Sequence, residues 1–169
     1  MTLEKFNTLT PRDAVTLFRR CCGSNRWAQE MSKRRPFQTL DEMLVVGEKL
    51  WNALSTNEWK EAFRKHHNVN DMKSLRKQFF SNLPGRETNI ATTPEKILKA
   101  LYEGMKLYEV KFGYGFIIDD RDKNAEEILA ILNERASNIP SEEIKIAAQE
   151  EVKLTRIRLQ KLLMSNTSF

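Results

Sequence analysis

The chain has 169 residues, 40% of them hydrophobic and 30% charged, and a formal net charge of +5. That length suffices for one domain burying about two thirds of the surface its unfolded form exposes, so no disulfide or metal is needed to hold a core together. Its two cysteines, Cys21 and Cys22, are adjacent and belong to no CxxC or Cys/His spacing, a pattern that argues against structural zinc and suits a reducing compartment. Met1 to Phe6 lacks an apolar core of signal-peptide length, no apolar run approaches the roughly 18 residues of a membrane helix, and Ser165 to Phe169 is not a peroxisomal Ser-Lys-Leu. A cytoplasmic protein with no membrane partner is expected. Lys and Arg are mixed with Asp and Glu, and the densest cluster, Lys33-Arg34-Arg35, runs straight into Pro36-Phe37. This predicts a mildly basic solvated surface and no nucleic-acid partner.

Helical signals dominate in chain order. Thr10-Pro11-Arg12-Asp13 opens a segment to about Cys22, with Pro11 at N1, where a missing N–H costs nothing. Thr39-Leu40-Asp41-Glu42 has the form of a capping box, after which Leu40, Met43, Leu44, Gly47, Leu50, Trp51 and Leu54 recur at helical spacing. Ser55-Thr56-Asn57-Glu58 caps the next helix, and Asp71 the one through Phe79 and Phe80. Ser81 to Asn89 is rich in breakers and polar groups and predicts an exposed or site-forming loop. Thr93-Pro94-Glu95 starts a long helix with Ile97, Leu98, Leu101, Met105 and Tyr108 on one face. Two glycines make Phe112-Gly113-Tyr114-Gly115-Phe116-Ile117-Ile118 the one piece that reads as extended. A polar turn, Asp119 to Asn124, precedes a helix marked by Ala125, Ile128, Leu129, Leu132 and Ala136 and ended near Asn138 by Pro140. Ser141 caps the last helix, with the stripe Ile144, Ala148, Val152, Thr155, Leu159 and Leu162. The pattern predicts an all-α single compact domain over residues 1–169, with about eight helices and one short extended segment near 112–118.

Two side chains stand out. Of the two histidines, His66 follows Trp59, Ala62 and Phe63 at i, i+3, i+4 and i+7, on the face toward the core, while His67 points about 100° away. An imidazole titrates between about pH 5 and 8, so a partly buried one is a candidate for proton chemistry; a hydrogen-bonded core histidine near a helix end is the competing reading. Arg158 flanks the buried stripe, three residues after Thr155 and four before Leu162. There it can snorkel, pair with a carboxylate of its own fold, or clamp a ligand carboxylate.

Four blocks in order carry a resemblance. Phe18-Arg19-Arg20-Cys21-Cys22-Gly23-Ser24-Asn25-Arg26-Trp27-Ala28-Gln29-Glu30-Met31 is followed by Arg35-Pro36-Phe37, and Phe63-Arg64-Lys65-His66 by Asp71-Met72-Lys73-Ser74-Leu75-Arg76. Tyr108-Glu109-Val110-Lys111-Phe112-Gly113-Tyr114-Gly115-Phe116-Ile117-Ile118 is the most specific, and Arg135-Ala136-Ser137-Asn138 joins Glu142 and Arg156-Ile157-Arg158-Leu159. Over nearly the whole chain this order and spacing resembles the decarboxylases of 2-oxo-4-hydroxy-4-carboxy-5-ureidoimidazoline (OHCU), which complete the conversion of urate to (S)-allantoin. The resemblance implies an all-helical carboxy-lyase without cofactor or metal, commonly a homodimer, whose partner is the small ureidoimidazoline. In that family a histidine, a glutamate and an arginine surround the substrate, and backbone groups of the Phe-Gly block help hold the ring. His66 matches the histidine, Arg158 the arginine, Phe116-Ile117-Ile118 the backbone segment and Glu87, by its place before Thr93-Pro94, the glutamate. His67 stands where the family usually has proline and Thr88 where it usually has glutamine, and both are expected at the substrate; Met105 replaces a usual asparagine.

The chemistry suits these residue types. Loss of CO₂ leaves electron density on a ring carbon that the adjacent imine and carbonyl system delocalises, so the protein must orient the carboxylate and deliver a proton to one face. On the resemblance, His66 is the acid/base group, Glu87 hydrogen-bonds ring or ureido N–H groups, and Arg158 grips an anionic or carbonyl oxygen. The departures at His67, Thr88 and Met105 keep a second reading open, a non-catalytic or repurposed homologue that binds a ureide or a protein partner. A basic nucleic-acid module rests on charge alone and requires salt-sensitive duplex binding.

Overall fold

The polar residues that precede the apolar stripes act as N-caps. Thr10, Thr39 and Ser55 accept hydrogen bonds from the backbone N–H groups of Asp13, Glu42 and Glu58 at 3.1, 3.0 and 3.3 Å. Glu58 completes a capping box by accepting from Ser55 N at 2.7 Å, whereas Glu42 reaches one residue further back, to Gln38 N at 2.6 Å. The computed structural model describes residues 1–65, 72–80 and 94–164, with side chains for all of these except 78–80. Among the described residues there are nine helices and no strand: α1 (Leu3–Asn7), α2 (Pro11–Cys21), α3 (Asn25–Lys33), α4 (Leu40–Asn52), α5 (Thr56–Arg64), α6 (Met72–Phe80), α7 (Pro94–Phe112), α8 (Ala125–Ala136) and α9 (Pro140–Met164). None of them is long and apolar enough to cross a membrane. The caps expected of Asp71 and Thr93, and the loop expected from Ser81 to Asn89, lie outside the described residues.

Helices α1 and α3 have no counterpart in the sequence pattern, and three boundaries differ from it. Helix α5, whose apolar face the pattern extends to His66, ends at Arg64 with Lys65 as its C-cap. Helix α9 begins at Pro140 rather than after Ser141: the N–H groups of Glu142 and Glu143 both donate to Ile139 O at 3.0 Å, and proline fits a first helical position. Helix α7 runs one residue into the run expected to be extended, because Phe112 packs one turn after Tyr108 with ring centroids 4.6 Å apart. Gly113 then leaves the helix with φ +83°, donating to Glu109 O at 2.8 Å, a conformation that glycine reaches at no steric cost. Residues 115–120 follow without helix or strand.

The chain divides into two compact units, Met1–His66 with Ile146–Phe169, and His67–Lys145. The core of the first is aromatic. Phe18 meets Phe6, Trp27 and Phe37 edge-on at 5.0, 5.7 and 6.5 Å, and Trp51 stacks on Trp59 at 6.1 Å. Trp59 is half-buried. Fully burying a ring such as Phe6, Phe18, Trp27 or Trp51 stabilises the fold by about 1.5–3 kcal/mol, provided an indole N–H finds an acceptor. It does: Trp27 Nε1 donates to Gly47 O at 2.8 Å, Trp51 Nε1 to Ala148 O at 2.9 Å and Trp59 Nε1 to Trp51 O at 3.0 Å. Arg35, from the densest basic cluster, serves the fold, donating through Nη1 to Leu9 O at 2.8 Å and to Phe6 O at 3.2 Å. In the second unit α7 packs on α8 at Gly104, where an added Cβ would lie 2.8 Å from Leu132 Cδ2.

Residues 21–25 of the first unit pass the end of α5 at Gly23. A Cβ on Gly23 would meet Lys65 Cβ at 2.8 Å and Ala62 O at 3.2 Å, atoms that cannot swing aside because they belong to or adjoin the backbone. Gly23→Ala is therefore expected to lower stability by about 1–3 kcal/mol. Urea unfolding measures this, and an unchanged midpoint would show that the two segments yield freely.

Candidate functional site

On α9, Glu151, Thr155 and Arg158 follow one another at helical spacing, so the last turns of this helix present polar groups on its packed side. Arg158 Nη1 donates to Glu151 Oε1 at 3.3 Å and to Cys21 O at 3.0 Å. The Glu151 side chain is 1% exposed and that of Arg158 36%, so the guanidinium lies at the edge of water with one nitrogen turned inward. Cys21 is the last residue of α2, and a cation at its carbonyl is favoured by the partial negative charge of a helix C-terminus. Of the three roles open to Arg158, pairing with a carboxylate of its own fold is the one seen here.

Cys21 and Cys22 are buried beside this pair. Burial pushes the Cys21 thiol up to about 11 despite Arg158. Cys22 rises to about 12, through burial first and Glu151 second, against smaller opposing effects of Ser24, Thr155 and Arg158. Both are protonated near neutral pH and poorly suited to act as nucleophiles. Among the described residues, no group of three or more His, Cys, Asp or Glu side chains could hold a metal ion.

In the second unit the segment Phe116-Ile117-Ile118 rests on a buried polar network. Arg135 Nη1 donates to Ile117 O at 2.7 Å, while Arg135 Nε and Nη2 both meet Glu143 Oε1, at 2.8 and 2.7 Å. Glu143 also accepts from Tyr108 OH at 2.6 Å and, on Oε2, from Asn138 Nδ2 at 3.1 Å. Burial and the bond to Glu143 hold the Tyr108 phenol far above its ordinary range, so it remains a donor. The Phe116 ring lies 4.5 Å from the Arg135 guanidinium and edge-on to Tyr108 at 5.2 Å.

Of the expected site residues, Arg158 belongs to the first unit and Phe116, Ile117 and Ile118 to the second. His66, His67, Glu87 and Thr88 lie outside the described residues; α5 ends at Arg64 with Lys65 as its C-cap. Periodicity alone did not single out Glu151, Glu143 or Arg135 as buried. The available signal was that Glu151 stands seven residues before Arg158, two turns along the same face. In the last block it is Glu143, not the neighbouring Glu142, that pairs with Arg135, and Glu142 is exposed.

Comparison with known proteins sets these features in a family. The family model described as OHCU decarboxylase matches residues 7–160. The chain belongs to the OHCU decarboxylase family. It is 35% identical over 146 residues to the "Uric acid degradation bifunctional protein TTL" of Arabidopsis thaliana, a match covering 84% of this chain and 45% of that protein. A 2-oxo-4-hydroxy-4-carboxy-5-ureidoimidazoline decarboxylase of Amia calva is 41% identical over 56 residues, 33% of this chain and 32% of the relative; one from Haloferax volcanii is 21% identical over 94% of both chains. The chain thus spans less than half the length of the first two relatives it matches. Among solved structures, an OHCU decarboxylase crystallised in the presence of (S)-allantoin superposes with a TM-score of 0.70 at 34% identity, covering 86% of this chain and 96% of that one. An (S)-allantoin synthase shares the fold at a TM-score of 0.69 and 15% identity, over 95% of this chain and 54% of that one.

The raised thiols give a direct check on the Arg158 surroundings. At pH 8 Ellman's reagent is expected to label Cys21 and Cys22 on the order of 100-fold more slowly in the native protein than in urea. Fast native labelling would contradict the enclosed, protonated state.

Proposed function

We propose that this protein decarboxylates 2-oxo-4-hydroxy-4-carboxy-5-ureidoimidazoline to (S)-allantoin in urate degradation, as a cofactor-independent carboxy-lyase. The observation that carries this reading is the family match over residues 7–160, supported by the likeness to an OHCU decarboxylase crystallised with (S)-allantoin. The bond from the ring carbon to the carboxylate breaks, its electron pair enters the adjacent imine and carbonyl system, and a proton is added to one face of the ring. His66 is the proposed acid/base group and Glu87 the partner of ring or ureido N–H groups. Arg158 grips an anionic oxygen, Thr88 and His67 border the substrate, and the backbone of Phe116, Ile117 and Ile118 holds the ring. The pairing of Arg158 with Glu151 supports its part, because a guanidinium fixed through one nitrogen loses less freedom on gripping a ligand. Residues 1–169 act as a single OHCU decarboxylase-like domain, in a cytoplasmic homodimer.

The substitutions at His67 and Thr88, where the family usually has proline and glutamine, favour one alternative, a homologue that binds a ureide or a protein partner without turning substrate over. The two readings part in one experiment. Freshly generated substrate should decay faster with the protein than without it and yield (S)-allantoin, followed by circular dichroism. His66→Ala should remove about 10²- to 10⁴-fold of kcat, the usual contribution of a general acid/base. Equal decay with and without protein would reject the decarboxylase, and thermal stabilisation by (S)-allantoin in the same preparation would then support the binding homologue.

A further inference from the structure

We propose that Arg135, locked in place by Glu143, is a positioning residue that orients the Ile117–Ile118 peptide toward the ureidoimidazoline ring; this rests on the decarboxylase reading for the identity of the ligand. Both side chains are withdrawn from water, Arg135 to 6% exposure and Glu143 to 0%. Burying two charges brings stability only when every hydrogen bond is well made, and an apolar pair of similar size packs at least as well. What an apolar pair lacks is direction. The guanidinium is planar, so the Nε hydrogen bond to Glu143 Oε1, with Nη2 in ion-pair contact at the same oxygen, aims Nη1 along a fixed line, and that line ends on Ile117 O at 2.7 Å.

The carboxylate is itself immobilised, by Tyr108 OH on Oε1 and by Asn138 Nδ2 on Oε2. The fixed line therefore runs from α7 and α9 through α8 to the segment. Phe116 is pinned by the same group, its ring facing the guanidinium at 4.5 Å. A trans peptide is planar, with its carbonyl and N–H on opposite sides. Gripping Ile117 O thus turns the N–H of Ile118 away from Arg135 and holds it as an oriented donor. A lysine at this position keeps the charge but has no planar fork to transmit direction.

The test compares Arg135→Lys and Glu143→Gln with Leu132→Val, a buried change on the same helix that reads packing loss alone. Hydrogen exchange by mass spectrometry follows residues 113–120, and kcat and KM are measured on freshly generated substrate well below each variant's Tm. Arg135→Lys and Glu143→Gln are expected to raise exchange in 113–120 while α8 stays protected. They should lower kcat/KM by about 10- to 100-fold, the usual effect of a misplacement near 1 Å. Leu132→Val should lower Tm without either change. If Arg135→Lys does not fold, Glu143→Gln carries the same readouts. Unchanged exchange in 113–120, or a kinetic loss no greater than that of Leu132→Val, would overturn the proposal. An inactive wild-type protein would instead remove the assigned ligand, and the exchange data would still decide whether Arg135 orients the segment.

Discussion

A carboxylate with no access to water has to be met by donors of its own fold, and two of the described glutamates are in that position. Glu143 is 0% and Glu151 1% exposed, so each draws an arginine inward: Arg135 to Glu143 and Arg158 to Glu151. Leaving either carboxylate uncompensated would cost more than most single packing contacts contribute. Each arginine has a further N–H aimed at a backbone carbonyl, Ile117 O for Arg135 and Cys21 O for Arg158. The two arginines thereby hold the carbonyls of Cys21 and Ile117 within their own units.

This arrangement suits the proposed chemistry. Decarboxylation that relies on the substrate's own imine and carbonyl system asks the protein for orientation and for a proton source rather than for a bound electron sink. Orientation is best supplied by groups that do not have to be ordered when the ligand arrives. A guanidinium tied to a buried carboxylate, and a peptide tied to a buried guanidinium, are both ordered beforehand. The buried cysteines next to Arg158 add no nucleophile, since burial keeps them protonated. They contribute a carbonyl and packing instead.

Much of the fold was legible in the sequence because its signals are local. Thr10, Thr39 and Ser55 announce helix starts through bonds three residues long, and the apolar stripes of α4 and α7 need only the helical period. Helix α1, five residues long, is too short to show a period, and Pro140 reads equally as the end of one helix or the first turn of the next. The candidate site was less legible. Arg158 drew notice as a charged residue flanking an apolar stripe, but Glu151 and Glu143 did not, since a charged residue in a helix is placed at the surface by default. Which of the adjacent Glu142 and Glu143 goes inside depends on the exact phase of α9 against α8, which no single-helix pattern contains.

By itself the sequence determined most of the helices, the caps at Thr10, Thr39 and Ser55, and the family, because a capping bond, an apolar period and an ordered set of blocks are all properties of residues near one another in the chain. Only the tertiary structure decided which charges are buried and what they hold. The Arg135 bond to Ile117 spans 18 residues, and the Arg158 bond to Cys21 spans 137. The charge partners themselves stand only eight and seven residues apart; what packing brings from a distance is the carbonyl each arginine also holds, and that is identified only when the helices are in place.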